Sequence, residues 1–281
     1  METSDNQIKE LVRQKYSEIA LQDKGTNQAS CCGSGGCTTE VYNIMNDDYS
    51  VLGGYNPDAD LGLGCGLPTQ FARIKKGDVV VDLGSGAGND CFVARAETGE
   101  TGKVIGVDFT EAMIAKARHN AATLGYNNVE FRYGDIENMP ITAGVADVIL
   151  SNCVLNLVPD KDGVIKDIYR VLKPGGHFSI SDIVLVGNLP ENLKNKAEMY
   201  AGCVAGAIQK DNYLDLIKQN GFKNIAVQKE KAIVVPDDIL GKYLDGEELE
   251  LFKKGETGIF SVTVYAEKAI EKTCCGTDCC N

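Results

Sequence analysis

Histidine is nearly absent from this 281-residue chain: His119 and His177 are the two it has. A triad built on a histidine base, or a zinc site built on imidazoles, therefore finds few candidates. Basic residues are outnumbered 28 to 40 by acidic ones, for a formal net charge of −12, and no Lys/Arg run occurs. That balance argues against a nucleic-acid partner, whose affinity rests on neutralising phosphates. No apolar run approaches the ~18 residues of a membrane span, so no membrane partner is expected. The first residues, Met1-Glu2-Thr3-Ser4-Asp5, are acidic and polar, unlike a signal peptide. The expectation is a soluble, cytoplasmic protein. No internal repeat is found. Eleven cysteines fall well below the ~8–10% that marks a disulfide scaffold. In a reducing compartment such thiols stay reduced unless they are catalytic or bind a metal.

What is present is a globular composition, 43% hydrophobic and 24% charged, sufficient for one large domain or two small ones. Helical spacing of apolar residues predicts an amphipathic helix over 6–22. A Gly/Ser/Cys segment follows, Ser30-Cys31-Cys32-Gly33-Ser34-Gly35-Gly36-Cys37, then a second Gly-rich loop from Asn56 to Pro68 that carries Cys65. Strands are predicted at Asp78–Asp82, Val104–Asp108, Val129–Tyr133, Asp147–Leu150 and His177–Ile183, with helices at 89–97, 110–124 and 161–172 between them. Short apolar strands alternating with helices indicate a doubly wound α/β fold with a parallel sheet. Further on, helices are read at 190–207 and 211–220 and strands at 224–231 and 258–267. Residues 236–260 also contain a polar, acidic stretch that reads as solvated surface. The expected division is an N-terminal Cys-bearing extension (1–69), a Rossmann-like domain (70–185), a C-terminal α+β region (186–270) and a Cys-rich tail (271–281).

Val79-Val80-Val81 runs into Asp82-Leu83-Gly84-Ser85-Gly86-Ala87-Gly88 and then a helix. Glycines at such a turn let the backbone approach a ligand and adopt positive φ. A dinucleotide fingerprint would need G-x-G-x-x-G, and its last position here is Asn89. Asp108 ends the next strand, where an acid can hold ribose hydroxyls. Gly134-Asp135-Ile136 follows the third strand, and Leu172-Lys173-Pro174-Gly175-Gly176 precedes the fifth. Together these motifs, over about residues 70–185, resemble the class I S-adenosylmethionine (SAM) methyltransferases. The resemblance implies SAM as cofactor, held by Asp82, Gly84, Ser85, Gly86, Gly88, Asp108, Asp135 (near the adenine amino group), Ile136 and Asn152. Asp82 would orient the loop and the methionine amine, or cap the turn; the two are compatible.

The fourth strand ends in Ser151-Asn152-Cys153-Val154-Leu155-Asn156-Leu157, which places residue 153 at the carboxyl edge of the sheet, where ligands bind. The Asn/Asp-Pro-Pro-aromatic motif usual in amino-methylating enzymes of nucleic acids is not found here. A second thiol lies in Ala201-Gly202-Cys203-Val204-Ala205-Gly206-Ala207 and a third in Leu63-Gly64-Cys65-Gly66-Leu67-Pro68. With Ser151 to Asp160, these segments resemble the arsenite methyltransferases from about residue 30 to 235. The resemblance implies that Cys153 and Cys203 bind trivalent arsenic and that Cys65 is a third ligand or redox partner. A fourth thiol comes from Cys31, Cys32 or Cys37: Cys31-Cys32 follow Thr26-Asn27 as in the family, Cys37 has the more usual distance to Cys65, and Cys32 is the choice made here. Arsenite or its thiol conjugates would be the acceptor, and glutathione or thioredoxin the reductant. Nothing in the sequence demands more than a monomer.

The chemistry is consistent with the composition. Thiolates select soft, thiophilic arsenic, and arsenic keeps a lone pair that attacks a methyl group without losing a proton. No general base is required. Two readings compete with this one. A small-molecule C- or O-methyltransferase of the quinone type would share the SAM motifs without needing the three thiols, and a non-catalytic metalloid-binding protein would not need an intact SAM motif. Each Cys also has a packing reading as a small buried hydrophobe, which is the one taken for Cys91 over a thiol activated by the helix N-terminus. His119 and His177 read as structural, and Asn156 as ordering the loop or the cofactor. The tail motif, Cys274-Cys275 and Cys279-Cys280, lacks zinc-ribbon spacing. It reads either as a metalloid-scavenging arm or as a solvated tail.

Overall fold

A computed structural model describes residues 5–22, 47–187, 206–233, 245–253 and 258–270. Cys31, Cys32, Cys37, Cys203, the Cys-rich tail and most of the helix expected at 190–207 lie outside these residues; Gly206 and Ala207, at its end, are not helical.

The chain runs α1 (Asp5–Ala20), α2 (Pro68–Phe71), β1 (Val79–Leu83), α3 (Asn89–Thr98), β2 (Lys103–Asp108), α4 (Glu111–Thr123), β3 (Val129–Tyr133), β4 (Ala146–Asn152), α5 (Lys161–Val171), β5 (Leu172–Val186), α6 (Lys210–Gln219), β6 (Lys223–Ala232), α7 (Gly246–Lys253) and β7 (Gly258–Glu267). The seven strands form one sheet in the order β3-β2-β1-β4-β5-β7-β6. β1 to β5 are parallel, and β7 runs antiparallel to both β5 and β6. β5 and β7 pair from His177↔Glu267 to Val186↔Gly258, so strands from both sides of residue 185 share the sheet.

Both faces are apolar because successive side chains alternate. Val80, Val148 and Leu150 pack with Phe92, Met113 and Phe131 on one face. Val81, Leu83 and Ile149 pack with Ile165, Phe178 and Phe222 on the other. This is the pattern of a sheet covered on both sides. The fifth strand starts earlier than its apolar core suggested: pairing with β4 begins at Leu172 and resumes at His177, with the intervening Pro-Gly-Gly stretch bulged out. Between 236 and 260, where the sequence suggested solvated surface, α7 forms, and its described side chains are largely exposed.

Two features position a site. The strand order reverses at β1, flanked by β2 and β4, and this opens a crevice at the carboxyl ends of the strands. α1 then lies over α4, its end fixed by Lys116 Nζ, which donates to the carbonyls of Ala20 and Gln22 at 3.1 Å each. Among the described residues, no helix is long and apolar enough to cross a membrane.

Candidate functional site

One cleft opens at the crevice. Among its lining residues are Asp82, Gly84, Ser85, Gly86, Asp108, Asp135, Ile136, Asn152 and Cys153. Eight of the nine expected cofactor residues are thus brought together. Gly88 is not in the wall. Its φ of +100° lets the chain turn into α3, and a Cβ there would lie 2.8 Å from the Phe92 ring and 2.9 Å from the Phe131 ring. It is a packing glycine. Gly86 differs: with φ +51°, its added Cβ would meet nothing nearer than Met113 Sδ at 4.0 Å, and so would fill part of the cleft.

The wall is acidic. Asp82, Asp90 and Asp108 are all buried and line the cleft. Asp108 is held by two backbone donors, Gly86 N–H at 3.0 Å and Thr110 N–H at 2.8 Å. Burial, then the charge of Asp90, pushes the pKa of Asp82 well above the ordinary carboxylate range, although the Cys91 thiol, 3.2 Å away, opposes this. Burial lifts Asp90 to about 6 against hydrogen bonds from Asn152 and Tyr49. The Ser85 hydroxyl is buried with no hydrogen-bond partner among the described residues. Such a donor set repels a pyrophosphate and suits a cation flanked by hydroxyls, which fits SAM, with its sulfonium, ammonium and ribose groups.

Asp135 lines the cleft with both side-chain oxygens already engaged. Its Oδ2 pairs with Lys9 Nζ of α1 at 2.7 Å, and its Oδ1 accepts the Glu137 N–H at 3.0 Å. Lys9 also pairs with Glu137, and Tyr16 joins Lys9 in the wall, so α1 borders the cleft.

Two of the expected thiols, Cys65 and Cys153, lie beside this wall, and both are buried. Cys153 sits just past β4 with φ +62°, which is uncommon for a residue with a Cβ. Its N–H donates to the Ser181 carbonyl of β5 at 2.8 Å, and the residue lines the cleft. Cys65 lies behind Gly64. Its N–H donates to Asn152 Oδ1 at 3.0 Å, its thiol is 3.8 Å from the same oxygen, and its carbonyl accepts from Ser261 of β7. The flanking glycines are needed: a Cβ on Gly64 would lie 2.7 Å from Asn152 Nδ2, and one on Gly66 would lie 2.6 Å from Ser181 Oγ.

Other candidates resolve into structural roles. Cys91 is buried, and burial followed by the charge of Asp82 pushes its thiol pKa well up. Its packing reading holds, with a hydrogen bond to Asp82 added. His177 Nε2 lies 2.6 Å from the Ala72 carbonyl, and its ring is 5.0 Å from that of Tyr265; His119 is exposed. Asn156 is buried outside the cleft and ties the loop after β4 to β5, donating to Asp182 Oδ1 at 2.9 Å and to the Ile183 carbonyl at 2.6 Å. The Tyr213 hydroxyl is buried with no hydrogen-bond partner among the described residues, and burial, then the charges of Asp182, Cys65 and Cys153, pushes its pKa well up.

Sequence reasoning missed Tyr49 and Asp90. Tyr49 Oη lies 2.9 Å from each Asp90 oxygen and 3.1 Å from the Gly66 carbonyl. Asp90 carried one signal, an acid in the first turn of a helix that packs on the sheet.

A methyltransferase-domain family matches residues 74–221. An arsenite methyltransferase of Halobacterium salinarum is 39% identical over 269 residues, covering 88% of this chain and 67% of the relative. The crystal structure of an arsenic(III) S-adenosylmethionine methyltransferase from Chlamydomonas reinhardtii superposes with a TM-score of 0.62 at 33% identity, covering 73% of this chain and 68% of that one. A demethylmenaquinone methyltransferase of Lactobacillus johnsonii is 29% identical over 179 residues, or 56% of this chain and 72% of the relative.

Proposed function

The chain belongs to the arsenite methyltransferases, within the class I SAM-dependent methyltransferases, and on that premise we propose that it methylates trivalent arsenic held by cysteine thiolates. The observation that supports this most directly is Cys153, a buried thiol in the wall of an acidic cleft, held by β5 through its own N–H. SAM supplies an electrophilic methyl group on a cationic sulfur.

The chain's residues do the rest. Asp82 and Asp90 offset the cofactor's positive charge, and Asp108 and Ser85 offer acceptors and a hydroxyl to its ribose. Cys65 and Cys153, with Cys203, take arsenic from arsenite or a thiol conjugate by forming S–As bonds as oxygen or thiol ligands leave. Three soft ligands hold arsenic pyramidal, with its lone pair free. No proton leaves arsenic as it gains the methyl group, so no base is required; placing the lone pair in line, roughly 3–3.5 Å from the methyl carbon, is the catalytic task. Arsenic rises formally from the trivalent to the pentavalent state. Two electrons return when a thiol pair drawn from Cys32, Cys65 and their neighbours closes to a disulfide, which glutathione or thioredoxin then reduces. The products are mono- and dimethylated arsenicals, the role is detoxification, and the active unit is a monomer.

The quinone-type reading shares only the cofactor cleft. The two separate in one assay: S-adenosylhomocysteine release from SAM with arsenite plus glutathione, against a demethylated quinone. Release with arsenite that is lost in Cys153→Ser supports the arsenic reading. Release with the quinone alone, indifferent to Cys153→Ser, overturns it.

A further inference from the structure

The acid wall and the thiol loop are joined by a continuous chain of hydrogen bonds. Asp90 lines the cleft on one side and on the other accepts from Tyr49 and, at 3.2 Å, from Asn152 Nδ2. Asn152 Nδ2 also reaches Tyr49 Oη and, at 2.9 Å, the Gly66 carbonyl. The opposite end of the same carboxamide accepts the Cys65 N–H. One side chain thus grips the peptide groups on both sides of Cys65, and its orientation is set by Asp90 and Tyr49. Burial and the Asp90 charge keep the Tyr49 hydroxyl protonated, so it stays a donor.

We propose that Asp90 and Tyr49 are positioning residues that couple cofactor binding to the placement of the Cys65 thiol, so that cofactor and arsenite bind cooperatively. This rests on the arsenic reading above. A cation bound beside Asp90 favours its full negative charge, and hydrogen bonds to a charged acceptor are roughly twice as strong as neutral ones. The Asn152 Nδ2 is then fixed toward Asp90, which leaves Oδ1 for Cys65. When the amide swings away, the Cys65 N–H loses its partner in a buried loop and the Gly66 carbonyl keeps only Tyr49 Oη, which is costly. The loop has little room to adapt, because Gly64 and Gly66 run so close to Asn152 and Ser181 that even an added Cβ would overlap them. The bistable element is therefore the Asn152 amide with its loop.

The test is equilibrium dialysis of the full chain with arsenite and glutathione, counting bound arsenic by mass spectrometry and taking only the binding lost in Cys153→Ser. It is run alone, with sinefungin (a non-transferring analogue with an amine cation in place of the sulfonium) and with S-adenosylhomocysteine, which lacks that charge. Sinefungin is expected to tighten arsenite binding about tenfold, S-adenosylhomocysteine less, and arsenite to tighten sinefungin by the same factor as sinefungin tightens arsenite. Tyr49→Phe and the isosteric Asp90→Asn should each reduce the factor to about two or less while still binding arsenite. A factor of one in the native chain, or an unchanged factor in both variants, overturns the coupling while leaving the arsenic reading intact. Normal sinefungin binding with no arsenite bound overturns the arsenic reading and the coupling together.

Discussion

The side-chain oxygen of Asn152 accepts the backbone N–H of Cys65 at 3.0 Å, joining residues 87 positions apart. The nitrogen of the same amide holds the Gly66 carbonyl. Asn152→Ala leaves the Cys65 N–H buried without that partner and the Gly66 carbonyl with Tyr49 Oη in place of two donors, at about 1–2 kcal/mol in total. Urea unfolding should show that loss, and Asn152→Asp, which sets a second carboxylate against Asp90, should lose more. A loss below about 0.5 kcal/mol, typical of an exposed surface site, contradicts this role.

Gly66→Ala tests the packing of the loop. The added methyl would meet Ser181 Oγ at 2.6 Å and Ser181 Cβ at 2.8 Å, on a rigid strand. The loop must retreat and carry Cys65 with it. Arsenite-dependent turnover should fall at least tenfold while SAM affinity, measured by calorimetry, changes less than threefold. Equal losses in both would mean that the variant simply unfolds the cleft.

The acid wall gives cofactor binding a pH dependence. Asp90 has a pKa near 6, and burial also raises Asp82 and Asp108. Below that value the acid carries a proton that a bound cation displaces. SAM affinity should therefore rise from pH 5 to pH 7, with proton release on binding at the acid end, and Asp90→Asn should flatten much of the rise. Affinity that is constant or falls over that interval would sink the assignment of the wall to a cation.

Asp182 makes the opposite contribution to stability. Burial lifts its pKa to about 7 from an ordinary 3.8, against the pull of the Ile183 N–H and Lys161. Its Oδ2 has no hydrogen-bond partner among the described residues, and its Oδ1 accepts from Asn156 Nδ2. Because the folded value is raised, the native state holds an extra proton between about pH 4 and 7. Stability from this group is thus greatest at low pH and declines as pH rises through that window. Asp182→Asn should stabilise the protein at pH 8, on the order of 1–2 kcal/mol, and give roughly a third of that gain at pH 5. A gain of the same size at both pH values would contradict the buried-charge account.

Much of the cofactor cleft was legible in the sequence because its signals are local. Val79 to Val81 mark a buried strand, and Gly84 and Gly86 do adopt the positive φ that the turn requires. Gly88 shows the limit of such reading. Spacing cannot tell a glycine that admits a ligand from one that admits two phenyl rings, and here the rings of Phe92 and Phe131 take the space. Tyr49 was not legible, since it meets Asp90 and Asn152 at separations of 41 and 103 residues, with no motif around it. Asp90 was not singled out, since an acid in the first turn of a helix is ordinary and its partners Tyr49 and Asn152 are remote in the chain. The fifth strand was underestimated for a similar reason. Its apolar centre was plain, but its start at Leu172 is set by pairing with β4 and its end at Val186 by pairing with β7.

The central claim is tested most directly by incubating the purified chain with SAM, glutathione and arsenite, and detecting methylated arsenic and S-adenosylhomocysteine by mass spectrometry, with Cys153→Ser alongside. The account predicts both products from the native chain and neither from the variant, although the variant still binds SAM. SAM binding with no methylated arsenic from the native chain, or undiminished methylation by Cys153→Ser, would contradict it.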